Sequence, residues 1–319
     1  MRKSLLVMIA ALNCVWLSPH ASADPTYKTG LFMRFNYQSF ATTITGINDS
    51  GQLVGSYSFS GANGPREHSL IMSGFDRNNS RAPITFKEVD LAPAKSIIEG
   101  ISSNGLIAGF GCFLDPASPT VLLSHGRYGA VGSHYKFLPF GNDNFSVAQG
   151  INAKGVVIGT VGNGNVQEAF ILQPTGHLTV LKPPGYSAFN VSVTGINDAG
   201  DVVGYFYPKG ASPYVTKAFI RHANGTYSFV QPTYPHGTVT SVQVLGINQQ
   251  GDMVGQISVT VKNKALSYSF LLLADGKVQY FSGNLILNGL DSADDLVGTE
   301  FDSGNAIILL PDVRSRIHK

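Results

Sequence analysis

Charge is scarce in this sequence. Asp, Glu, Lys and Arg make up 13% of the 319 residues, against 43% hydrophobic residues. Disordered chains need the reverse balance, so this one is read as folded. Cysteine is scarcer still. There are two, and Cys14 lies in an N-terminal apolar run. With that run removed, Cys112 stands alone, no intrachain disulfide can form, and the thiol is read as buried and inert. No later stretch is long and apolar enough to span a bilayer. There is no segment of helical period. The motifs H-E-x-x-H, C-x-x-C and G-x-S-x-G are absent, as is a phosphate-cradling loop. No cofactor and no metal are therefore expected, and no motif names a reaction.

The N-terminus carries what the rest lacks. Arg2 and Lys3 precede an apolar core from Leu5 to Leu17, and Ala21-Ser22-Ala23 fits a small-x-small cleavage site. Residues 1–23 read as a secretory signal peptide, and 24–319 as one mature domain. Asn13 interrupts the run, which argues against a membrane anchor. Leu12-Asn13 is a poor lead-in to a lipid-modified Cys14. Cleavage removes two basic residues and no acid, leaving 20 basic against 20 acidic residues. A neutral chain has no electrostatic footprint for nucleic acid. The expected destination is secreted or periplasmic.

Glycine is abundant, with 36 residues, and it is organised. Near-copies of one decapeptide begin at Gly46 (GINDSGQLVG), Gly100, Gly150, Gly195, Gly246 and Gly289 (GLDSADDLVG). A spacing near fifty residues marks a supersecondary unit. In each copy a polar break ending in Gly separates two apolar runs. This is the signal of a three-residue hairpin loop closed by a left-handed residue. Gly51, Gly105, Gly155, Gly200 and Gly251 supply that residue, and Asp294 replaces it in the last copy. The loop sets the register: Ile47 opposite Leu53 and Gly46 opposite Val54, and likewise in every unit. Both faces of the hairpin are then apolar or glycine, so it needs a layer on each side.

Third strands are expected at 68–72, 121–124, 168–172, 217–221, 268–272 and 305–310. Fourth strands are expected at 84–91, 134–140, 177–184, 226–232 and 277–283. The sixth unit lacks a fourth strand, and a spare one lies ahead of the first unit at 30–37. Ring closure solves both problems. The predicted fold is all-β: a six-bladed β-propeller of four-stranded blades, monomeric, closed by the N-terminal strand.

The pattern G-[IL]-N-x-x-G-x-[VI]-V-G followed by x-A-F-[IL] resembles the bacterial HAF-type extracellular repeat family, from about Gly46 to Leu310. His68-Ser-Leu-Ile and Glu168-Ala-Phe-Ile match the name-giving triplet, with His68 its one retained histidine. The resemblance implies a secreted repeat protein and offers no catalytic residues. Glycosylation sequons at Asn48, Asn144, Asn190 and Asn224 are discounted because the repeat and leader are of bacterial type.

Candidate chemistry is sparse. Histidines 125, 134, 177, 222 and 236 are placed at strand ends or loops, without metal-ligand spacing. Asn48, Asn152, Asn197 and Asn248, with Ser102 and Asp291, give one polar side chain per blade, read as turn-stabilising hydrogen bonds. Asp49, Asp198, Asp201, Asp252, Asp291, Asp294 and Asp295 fall in the same turns and read as a solvated acidic rim without calcium-loop spacing. The opposite rim carries Tyr186, Phe189, Tyr207, Tyr214, Tyr234 and His236 in Pro/Gly-stiffened loops, a candidate ligand-binding surface for glycan or polypeptide. The expected function is a binding or interaction module. The alternative is a hydrolase or lyase acting on glycan or a small ester at the channel mouth, marked by facing carboxylates or a His–acid pair. A purely structural envelope component would show neither.

Overall fold

The computed structural model describes residues 13–14 and 32–311, apart from 39, 62–63, 78–81, 93–94, 116–117, 141–144, 163–166, 212–214 and 282–284. The expected signal peptide at 1–23, apart from 13–14, therefore lies outside the described residues.

Each decapeptide folds as expected. Gly51 N–H donates to the Asn48 carbonyl and Asn48 N–H to that of Gln52, closing the three-residue loop. The φ angles of Gly51, Gly105, Gly155, Gly200 and Gly251 lie between +71° and +100°, and that of Asp294 is +60°. Ile47 pairs with Leu53 and Gly46 with Val54, and the same register recurs in all six hairpins.

Two further strands complete each blade. The first blade runs Ala41–Ile47, Leu53–Gly61, Gly64–Ser73 and Thr85–Glu88. The sixth has Leu285–Leu290, Leu296–Glu300 and Asn305–Leu309 from the C-terminal end. Its outer strand is Phe32–Phe35, antiparallel to Asn305–Leu309 with Phe32 opposite Leu309. The ring is thus closed by the N-terminal strand, and a two-residue pairing of Asn13–Cys14 lies on its outer edge. A single parallel bridge, Gln167 to Asn190, joins blades three and four. No described helix is long and apolar enough to cross a membrane.

The core is divided as two-faced hairpins require. Each of six buried clusters lies between two neighbouring blades. Val54, Ile71, Ile98 and Ile107 fill the space between blades one and two. Ala108, Ala148, Ile151 and Phe170 fill the next. Phe35, Ile44, Leu53, Val297 and Ile308 seal blade six to blade one. Each Val, Leu, Ile or Phe among these side chains stabilises by about 1.5–3 kcal/mol when fully buried.

Blade two departs from expectation. Its third strand is Ser118–Ala130, and Ala108 opposite Tyr128 fixes its register. The segment equivalent to 68–72 is therefore 125–129. The expected 121–124 lies farther out, opposite the extended end of Leu106–Asp115. The apolar run VLLS drew the sequence reading away from HGRYG, whose apolar pattern is broken by an arginine.

Candidate functional site

The first strand of every blade contains a bulge that the sequence did not announce. Register skips one residue just before each leading glycine, at Thr45, Glu99, Gln149, Thr194, Leu245 and Asn288. A bulge re-aims the extra residue, and here these six side chains line the central channel. The glycine after each bulge forms the waist. A Cβ on Gly100 would sit 3.1 Å from Gly150 Cα and 3.0 Å from the Gln149 carbonyl oxygen. Six strands converge this closely only without side chains.

The waist divides the channel. On the turn side, Ile47, Ile101, Ile151, Ile196, Ile247 and Leu290 form an apolar collar, above which the Asn ring surrounds a recess of about 50 Å³. Each asparagine works twice. Asn48 Oδ1 accepts from the backbone N–H of Ser50 and Gln52, at 3.1 and 3.0 Å. Its Nδ2 donates to the Ser102 carbonyl of the next blade at 3.1 Å. Asn152, Asn197 and Asn248 repeat the donation to Asn197, Asn248 and Asp291. Where the ring lacks Asn, Asn104 donates to Ala153, and Asp49 accepts from Ser292 N–H. The ring is a belt of inter-blade hydrogen bonds as well as a set of turn caps.

The acids take part in that belt, and four of the seven are not solvated, whereas Asp49 is exposed and Asp198 and Asp201 are half-buried. Asp252, Asp291, Asp294 and Asp295 are buried. Arg77 holds Asp291 at 2.7 Å and Asp295 at 3.1 Å. Burial pushes the Asp291 carboxyl up, while backbone N–H donors and Arg77 oppose that shift. Asp252 accepts from Ala274 N–H, Asp201 from Ala223 N–H, and Asp198 from Ala153 N–H. Turn geometry places these carboxylates over backbone N–H groups, which a count of charge per loop does not reveal.

On the far side of the waist the channel widens to a recess of about 70 Å³. That volume suits a few water molecules and falls below pockets that enclose drug-sized ligands. Thr45 and Thr194 donate to Ile98 and Val244 of their neighbouring blades, at 2.6 and 2.8 Å. Asn288 donates to Ile44 at 2.8 Å. Glu99 is the carboxyl among these six. Its enclosure by protein pushes it up to about 7, with Glu67 adding to the shift and Lys95 opposing it. Such a group can hold or release a proton near neutrality. The other five bulge residues bring it no carboxylate or imidazole partner. The described His–acid contacts, His68–Asp90 at 2.9 Å and His222–Asp201 at 3.8 Å, each join two residues of one blade, and no His lines the channel recesses.

The expected aromatic residues are only partly gathered. Tyr186 and Phe189 lie in the strand Tyr186–Ile196, but their side chains, like Tyr214, lie outside the described residues. Tyr207 is half-buried and meets Tyr205 edge-on at 6.4 Å. Tyr234 is half-buried, stacks on Tyr268 at 4.9 Å, and meets exposed His236 and Tyr280 edge-on. No described ring contact joins Tyr207 to this group.

A further set on the same rim was missed. In blade one, Phe59 stacks on His68 at 5.6 Å and on Tyr57 at 5.9 Å, and Phe40 lies against both Tyr57 and Phe59. Tyr57 donates to Glu88 at 2.7 Å, and burial with that carboxylate pushes the phenol up. Blade two repeats the pair as Phe113 and His125 at 5.8 Å. His125 stands inside a strand, opposite Gly111 as His68 stands opposite Tyr57. A histidine therefore occupies this register position in two blades. The signal was legible only once the register of blade two was known.

No family model matches the chain, and no curated protein matches it. Solved structures do. A gluconolactonase from Xanthomonas campestris aligns over 97% of this chain and 99% of its own, at 12% identity and a TM-score of 0.47. A streptogramin B lyase aligns over 91% and 100%, at 11% identity and 0.46. The acylaminoacyl peptidase of Pyrococcus horikoshii aligns over 86% of this chain and 52% of its own, at 10% identity and 0.44.

Proposed function

We propose that this propeller is a secreted or periplasmic binding module, of the HAF-repeat type, that presents the rim opposite the asparagine belt to a glycan or polypeptide. The observation that carries this reading is the repeated pairing of a ring with a histidine, Phe59–His68 and Phe113–His125, on adjacent blades of that rim. Flat apolar faces beside hydrogen-bonding groups suit a ligand with alternating C–H and hydroxyl or amide surfaces. Glu88, Asp90 and Arg127 supply polar groups beside the rings. A hydrolase or lyase at the channel mouth would need a second catalytic group facing Glu99; the bulge ring supplies none, and the nearby Glu67 is already engaged by Lys95 at 2.7 Å and Ser56 at 3.0 Å.

The test is an array of glycans, peptidoglycan fragments and peptides probed with the mature chain. A ligand is expected on at least one arm, with Phe59→Ala and Phe113→Ala each weakening it about 5- to 30-fold. Lys277→Ala, in a turn of the belt side, serves as the control and leaves binding unchanged. Absence of any ligand on all three arms would sink the reading, as would an equal loss from the control.

A further inference from the structure

The third strands place one residue per blade opposite the last glycine of the decapeptide. These are Leu70, Arg127, Phe170, Phe219, Phe270 and Ile307, facing Gly55, Gly109, Gly159, Gly204, Gly255 and Gly298. Five of the six are apolar and wholly buried. The sixth is an arginine. A cation at such a position is costly unless a carboxylate or several hydrogen bonds compensate it. Arg127 has neither among the described residues: it appears in no ion pair, and its Nε is sealed from solvent without a partner. Two rings hold it instead. The guanidinium carbon lies 4.6 Å from the centre of Phe113 and 4.1 Å from that of Phe137. The rings stand 6.3 Å apart and form a corner against it. His125 closes a third side, 5.8 Å from Phe113 and 6.5 Å from Phe137. Phe137 is 55% exposed.

We infer that Arg127 is the anchor of an anion subsite, which takes the carboxylate of a uronic acid residue in an acidic glycan. The inference rests on the binding-module reading and specifies its ligand. A guanidinium presents a planar fork that matches a carboxylate in two parallel hydrogen bonds. Packing against Phe113 and Phe137 fixes that fork before the ligand arrives, which lowers the ordering cost of binding. The exposed ring of Phe137 lies beside it, where the C–H face of a pyranose can rest while its carboxylate meets the fork. Burial and the adjacent Arg127 both push His125 down, so its imidazole is neutral at pH 7 and can hydrogen-bond a sugar hydroxyl without competing for the anion.

The experiment is calorimetric titration of the mature chain with trigalacturonate, its methyl ester, and a Glu-rich peptide of equal charge. Trigalacturonate is expected to bind, the ester at least tenfold more weakly. Arg127→Met is expected to lose the acid-over-ester preference while keeping its thermal midpoint within a few degrees. Arg127→Lys, which keeps charge without the fork, is expected to retain part of the preference. Binding of the peptide in place of the glycan would overturn the uronate assignment. Equal binding of acid and ester, or an unchanged preference in Arg127→Met, would overturn the subsite while leaving the binding-module reading intact. No binding on any arm of the array would remove both.

Discussion

Glu99 offers a measurement that links the channel to stability. Its carboxyl is raised from an ordinary value of 4.5 to about 7 by burial, with Glu67 adding and Lys95 opposing. Between those values the folded chain keeps a proton that the unfolded chain has released. Stability from this group is therefore full below about pH 4.5 and is lost as pH rises through about 7. At about 1.4 kcal/mol per pH unit, the gap amounts to about 3–4 kcal/mol, or about 2–3 once water at the channel mouth is allowed for. Glu99→Gln keeps the shape and polarity of the protonated acid and removes the titration. The variant and the parent chain should be equally stable at pH 4.5, and the variant more stable by about 2–3 kcal/mol at pH 8.5. Urea unfolding followed by far-UV circular dichroism at several pH values reads this difference directly, because other titrating groups cancel between the two proteins. A stability difference that stays flat with pH would refute the reasoning. It would show that Glu99 ionises as an ordinary surface carboxyl.

Other perturbations probe the belt, the turns and the waist. Asn248→Ala removes acceptance from Gln250 and Asp252 N–H and donation to Asp291 and the Asp252 carboxylate, and should cost about 2–4 kcal/mol in chemical unfolding; Asn248→Asp, which keeps the turn cap but sets a carboxylate against those of Asp252 and Asp294, should cost at least as much at neutral pH. Arg77→Met leaves Asp291 and Asp295 buried without their cation, and a loss of about 3–5 kcal/mol is expected at pH 7, shrinking as the carboxyls protonate at lower pH. Gly200 has φ +100°, so Gly200→Val should destabilise by about 1–3 kcal/mol in the same assay. Gly100→Ala pushes a methyl against the waist of the next blade and should cost about 1–3 kcal/mol, whereas an unchanged midpoint would mean that the channel relaxes freely.

The sequence by itself determined the six hairpins, their register and the closure of the ring. Those features rest on local chemistry: a turn of Asn-x-x-Gly selects one loop geometry, and period-two apolar pairs bury both faces only when blades stack. A missing last strand and a spare first one then have one solution. Legibility failed where local pattern and tertiary position part company. HGRYG in blade two carries an arginine where its five counterparts are apolar, so a search for apolar runs preferred VLLS and hid both His125 and Arg127. The aspartates of the turns read as solvated because acids usually are, yet hairpin geometry and Arg77 bury several of them over backbone donors. The bulge that turns Thr45, Glu99, Gln149, Thr194, Leu245 and Asn288 into the channel leaves no local sign, because no single side chain repeats at that position in all six copies. Only the convergence of six strands on one axis, with glycines touching at the waist, makes one ring of residues about fifty positions apart. That convergence raises the affinity of Glu99 for its proton, a property that no stretch of chain around residue 99 holds alone.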